Sequence, residues 1–126
     1  TRHLLAELVG DLDTVDDLLR ELHDEHMLVL EDRPGRYGEI RMALPFAAEA
    51  TKWRVTTEQG AWSANCAWDS LAILAALHSD GHIESTWSDT GAPVDLDVSG
   101  GQLDDVEGYI GFPLPASQWW DDIVFT

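Results

Sequence analysis

A chain of 126 residues makes one domain, or two small halves that share a core, because separate cores need roughly 50 residues each. Its 44% hydrophobic content and six tryptophans exclude a disordered segment, and its single cysteine, Cys66, excludes an internal disulfide, a four-thiolate zinc site and a CxxC redox pair built from these residues. The net charge of −17 argues against a nucleic-acid partner, whose phosphates are held by Lys and Arg, and points instead to cations.

The predicted elements begin with two helices and a hairpin. Leu4, Leu5 and Leu8 share one face of a short first helix, and Thr14 is the expected N-cap of a second carrying Val15, Leu18, Leu19 and Leu22 at helical spacing. Asp16 and Asp17 fall in its first turn, where the helix dipole favours negative charge. A strand over Met27–Leu30, a turn at Arg33-Pro34-Gly35-Arg36 and a strand from Tyr37 to about Leu44 complete the order of a winged-helix module. The second helix would be the DNA reader of such a module. It carries Asp16, Asp17, Glu21, Asp24 and Glu25 against Arg20 alone, so an interface or structural role is expected.

Past Pro45, residues 47–50 are expected to connect into the second half. Trp53–Thr57 is a predicted strand and Gln59-Gly60 a turn; Ser63 or Asn65 is the expected cap of an apolar helix that runs to about Leu77 and ends at Gly81. Strands follow over His82–Trp87 and Val94–Val98, separated by a turn at Thr90-Gly91-Ala92-Pro93. Gly100-Gly101 is a further turn, Tyr109–Leu114 a strand, and Pro115–Asp122 a loop or short helix ahead of a last strand over Ile123–Thr126. The fold class is therefore α+β: an N-terminal winged-helix-like half, residues 1–45, then a mixed β-sheet packed on a central helix, residues 46–126. No run approaches the roughly 20 apolar residues of a membrane span, and no signal-peptide pattern occurs, so a cytoplasmic protein away from membranes is expected.

Chemistry concentrates in Ala64-Asn65-Cys66-Ala67-Trp68-Asp69. Cys66 is placed in the first turn of a helix, where free backbone N–H groups favour an anion. Asp69, three residues on, shares its face and is close enough to share a ligand or exchange a proton. An ionised Asp69 also opposes the thiolate, by an amount comparable to the roughly 0.3–1 kcal/mol that a helix N-terminus offers it. The same pattern suits a small buried side chain in an Ala-rich helix, so a structural Cys66 remains open. Trp62, Trp68, Trp119 and Trp120 are core aromatics or the walls of a pocket for an organic group. The pairs His23/His26 and His78/His82 read as solvated or capping histidines, and the acidic stretch from Asp11 to Asp17 lacks the glycine and terminal glutamate of a calcium loop.

The Cys66-x-x-Asp69 helix start, the Thr90-Gly91-Ala92-Pro93-Val94 turn and Trp119-Trp120-Asp121-Asp122 occur in an order that resembles the alkylmercury lyase (organomercurial lyase) family. The resemblance covers nearly the whole chain and marks residues 46–126 as the catalytic part. It implies protonolysis of a carbon–mercury bond. In the family, two cysteines grip the metal of an organomercurial and an aspartate passes a proton to the carbon. Hydrocarbon leaves, and Hg²⁺ stays as bound product until cellular thiols remove it, with no cofactor. Cys66 matches the first cysteine, as mercury ligand and nucleophile, and Asp69 matches the proton donor. The family's second catalytic cysteine belongs in the last strand, just beyond Thr126, and no residue of the sequence replaces it. Two readings follow: a lyase whose second thiol lies past Thr126, or a relative that binds a metal cation or small ligand without cleavage. A further cysteine of some members falls at Trp87, where its role is structural.

Overall fold

The computed structural model describes residues 2–104 and 106–123. By its contacts the chain divides into two compact units, Thr1–Leu44 and Pro45–Thr126.

In the first unit, α1 (Arg2–Val9) and α2 (Leu12–Asp24) precede a short antiparallel hairpin of β1 (Val29–Leu30) and β2 (Ile40–Ala43). Helix, helix, hairpin is the expected order, with shorter strands than the sequence suggests. The N-cap of α2 is Asp11, not Thr14: the Asp11 carboxylate accepts from the Thr14 N–H at 2.7 Å and from its hydroxyl at 2.6 Å. A carboxylate three residues earlier competes successfully with the hydroxyl, and Thr14 becomes the capped residue. Val15, Leu19 and Leu28 make this unit's core, with Leu5, Ala6, Leu30 and Ile40 against them. Where the hairpin leaves β1, Glu31 is buried. Its carboxylate is bonded by Arg33 Nε and Nη2 at 2.5 and 2.8 Å, with Arg41 Nε at 3.7 Å, which supplies the pairing a buried charge needs. The Arg33 hydrogen bonds, outweighing desolvation, hold its pKa below the usual glutamate value.

The second unit holds β3 (Phe46–Ala47), β4 (Trp53–Thr57), β5 (Gly60–Ala64), α3 (Ala67–Leu77), β6 (Gly81–Thr86), β7 (Pro93–Ser99), β8 (Gln102–Leu103) and the 3₁₀ helix η1 (Ala116–Asp121). Its strands lie in the order β3-β5-β4-β6-β7-β8. The α+β class stands. The sheet is not mixed, however, since all of these described pairings are antiparallel; β4–β5, β6–β7 and β7–β8 are joined by short connections that permit no other sense. Val55, Trp62, Ile83 and Leu96 are cross-strand neighbours or successive partners on one face. Onto that face α3 lays Ile73 and Leu74, which join Val55, Ala64 and Ile83 in a fully buried cluster. Each large aliphatic side chain there contributes about 1.5–3 kcal/mol.

Four boundaries differ from the sequence reading. Strands β3 and β5 occupy stretches expected to be a connection and a helix approach, because Phe46 and Trp62 bury their rings against the sheet core. Helix α3 begins later than a Ser63 or Asn65 cap would place it. It runs to Leu77 as expected, but the residue that stops it is His78 and not Gly81: the left-handed His78 backbone (φ 48°) lets the Ser79 N–H reach Leu74 O at 3.1 Å. Gly81 instead opens β6, where a Cβ would stand 2.6 Å from both a Leu74 methyl and the Thr56 carbonyl oxygen, so the close approach of helix and sheet requires glycine. Residues 109–114 form no strand: Gly108, Gly111, Pro113 and Pro115 interrupt them, and Tyr109 is fully exposed. Ile123 lies in a turn, and the rest of the expected last strand, residues 124–126, falls outside the described residues.

Candidate active site

Strand β5 and helix α3 meet at Asn65-Cys66, and three interactions fix the junction. The Thr51 hydroxyl donates to Ala64 O at 2.5 Å, Asn65 Nδ2 donates to Ile123 O at 3.3 Å, and Cys66 Sγ accepts the Asp69 N–H at 3.4 Å. Cys66 is thus the N-cap of α3, with extended backbone (φ −145°, ψ 179°), one position ahead of the first turn where the sequence places it. Asp69 occupies the third helical position. The geometry of a capping residue and its N3 partner brings thiol and carboxyl together, as the three-residue spacing predicts.

Cys66 and Asp69 are both half-buried, and burial dominates both protonation equilibria. It pushes the Cys66 thiol up, and the neighbouring Asp69 charge adds to it, while the Asp69 and Trp68 N–H groups pull in the other direction. It also raises the Asp69 carboxyl, against a lowering by its hydrogen bond to the Cys66 side chain. The local sequence weighs helix N-terminus against carboxylate and finds them comparable; desolvation, invisible to spacing, decides for the protonated thiol. Burial thus favours the neutral thiol and raises the proton affinity of the carboxyl beside it.

The four tryptophans separate. Trp68, largely exposed on the first turn of α3, meets Phe112 edge-on with centroids 6.3 Å apart, and Phe112 stacks on Trp119 at 5.0 Å. Trp119 is anchored by its indole N–H, which donates to Leu114 O at 2.9 Å. This row of three rings starts at Trp68, two residues after Cys66 in the chain. Trp62 lies elsewhere, edge-on to Phe46 at 6.4 Å and packed on the sheet core; Trp120 is half-buried in η1. Phe112 was not among the expected ligand-facing aromatics. Its segment has the alternation of a strand, and only the glycines and prolines around it signal a loop that can fold back on α3. Asn65, expected as a cap, ties the start of α3 to Ile123.

Of the histidines weighed as metal ligands, His78 ends α3 and His82 lies in β6, with its Nδ1 2.8 Å from Asp97 Oδ1. His23 Nδ1 is 3.2 Å from Leu28 O, and His26 follows α2 in a left-handed conformation. No helix among the described residues is long and apolar enough to cross a membrane.

The MerB alkylmercury lyase family model matches residues 46–126, a stretch that includes the Cys66–Asp69 helix start and the ring row. A solved structure described as the mercury-bound form of MerB2 is similar over 83% of the chain, with 26% identity and a TM-score of 0.65. The chain spans 50% of that protein's length. No curated protein matches. Since the matched residues are more than half of the chain and hold the whole thiol–carboxyl site, this chain belongs to the alkylmercury lyase family.

Proposed function

We propose that the chain carries the substrate-gripping half of an organomercurial lyase, with Cys66 as mercury ligand and Asp69 as proton carrier. The observation that carries this reading is the pairing of the two at the start of α3, with Cys66 Sγ bonded to the Asp69 N–H at 3.4 Å and both groups raised in proton affinity by burial. Mercury in RHg–X replaces the thiol proton, since a soft cation prefers sulfur and ligation deprotonates a thiol outright. X⁻ leaves, and the proton passes to the neighbouring Asp69 carboxylate. A second thiolate on mercury then weakens the carbon–mercury bond. Its electron pair takes the proton from Asp69, RH departs, and Hg²⁺ remains on two sulfurs until cellular thiols take it; no redox cofactor is needed. We assign Trp68, Phe112 and Trp119, whose rings contact one another in a row, to the binding of an apolar or aromatic R group. The hydrogen bond from Asn65 to Ile123 O ties Ile123 to the same junction.

The likeness to mercury-bound MerB2 supports mercury as the bound element, and the family match supports the reaction class. The test is benzene release by the full-length protein from phenylmercury in excess thiol. Catalytic release supports a lyase; none overturns that reading. A second reading is favoured by the single thiol among the 126 residues: a relative that binds a soft metal ion or small ligand through Cys66 without cleavage. It predicts Hg²⁺ binding that Cys66→Ser abolishes and no benzene from the full-length protein.

A further inference from the structure

The sheet face that α3 leaves uncovered carries a second constellation with no part in the reaction above. Ile83 and Leu96 point into the core, so by strand alternation His82 and Glu84 of β6 and Asp95 and Asp97 of β7 project from the opposite face. The register sets His82 across from Asp97, and Glu84 across from Asp95. One ligand atom each from His82, Glu84 and Asp95 lies within 4.8 Å of the others, and His82 Nε2 stands 3.4 Å from Asp95 Oδ1. Donors about 2.0–2.1 Å from a tetrahedral ion are separated by about 3.3–3.4 Å, so the His82–Asp95 edge already has the required length.

The remaining imidazole nitrogen is committed in the way a metal-ligating histidine requires. His82 Nδ1 is 2.8 Å from Asp97 Oδ1, and because a carboxylate only accepts, Nδ1 is the donor. That bond fixes the ring's orientation and leaves Nε2 directed at the two other carboxylates, the carboxylate–histidine–metal relay found at zinc sites. Arg54 Nε, 3.7 Å from Glu84 Oε2, flanks the group on the β4 side. Three carboxylates and an imidazole on two paired strands, with the Arg54 guanidinium beside them, leave net negative charge that a dication offsets.

We infer that His82, Glu84 and Asp95 form a surface site for a borderline divalent ion of the zinc class, with Asp97 orienting His82 and a water-accessible fourth position. One imidazole and two carboxylates select such ions over Mg²⁺, which takes oxygen donors and keeps its waters. The site shares no residue with Cys66 and Asp69, and it stands whether or not the chain cleaves carbon–mercury bonds. An ion there would clamp β6 to β7.

Cys66→Ser protein, in which the α3 thiol cannot compete, is titrated with Zn²⁺ by calorimetry and with Co²⁺ by visible absorption. One saturable equivalent is expected. His82→Gln in that background removes it, and Asp97→Asn weakens it about ten- to hundredfold while keeping the stoichiometry. Thermal melts serve as the folding check: Zn²⁺ raises the Tm of the Cys66→Ser protein and leaves that of the His82→Gln double variant where it was. Absence of saturable binding, equal Zn²⁺ affinity with and without His82, or Mg²⁺ binding as tight as Zn²⁺ overturns the site.

Discussion

Helices α2 and α3 start in the same way and are put to different uses. Both caps have extended backbone, and both accept the N–H of the residue three positions on. In α2 the acceptor is the Asp11 carboxylate at 2.7 Å, one of the best capping groups, and Thr14 returns its hydroxyl to it. In α3 the acceptor is the Cys66 sulfur at 3.4 Å, a weak acceptor where Ser or Asp would cap better. The first helix has an acidic exposed face and an optimised start. The second is apolar, held by its burial against the sheet, and can leave its cap to a thiol. Helical stability that comes from packing releases the cap for chemistry.

Exchanging caps should therefore separate stability from function. The largest effect is expected from Cys66→Ser: phenylmercury binding and benzene release both disappear, while denaturant unfolding shows stability unchanged or raised by up to about 1 kcal/mol. A destabilised Cys66→Ser protein would mean that the sulfur is a packing group. Next in size, Phe112→Ala removes the middle ring of the row. Losing contacts worth about 0.5–1.5 kcal/mol, it should raise KM for phenylmercury several-fold and that for methylmercury less. Asp11→Ala should cost about 1 kcal/mol in the first unit, read as a lower midpoint of unfolding, and leave benzene release unchanged.

The smallest effect concerns acid. The Glu31 pKa is lowered in the fold by the Arg33 hydrogen bonds, so its stabilisation is complete above the usual glutamate pKa of about 4.3. It is lost as pH falls from there through the lowered folded value. Stability of the first unit, followed by circular dichroism, should drop across that window, and Glu31→Gln should flatten that part of the slope. The thiol of the second unit responds at the other end of the scale. Because burial raises the Cys66 pKa, the sulfur keeps its proton beyond the usual cysteine range, and benzene release should persist into that alkaline region.

Periodicity and turn residues located α3, β4, β6 and β7 and the order of the first unit, because each has a strong apolar period or a glycine-marked end. Strands β3 and β5 were not legible. Phe46-Ala47 is too short and Gly60–Ala64 too rich in small residues to show alternation, and they become strands by pairing across sequence, β3 with β5 and β5 with β4. Residues 109–114 erred the opposite way, a β-like composition that glycine and proline keep out of the ladder. At the site, the three-residue spacing revealed the Cys66–Asp69 pair, whereas the cap position, the burial that sets both protonation states and the approach of Phe112 to Trp68 depend on parts of the chain distant in sequence. The cluster around His82 was hidden for the same reason, since register and not helical spacing assembles it.

The division of labour between Cys66 and Asp69 is tested most directly by Asp69→Asn in the full-length protein, with phenylmercury binding and benzene release measured on the same sample. Binding at the wild-type stoichiometry should remain, because the sulfur is intact. Release should fall by about 10²–10⁴, the usual contribution of a positioned proton donor. Release at the wild-type rate from the Asp69→Asn protein would contradict the account.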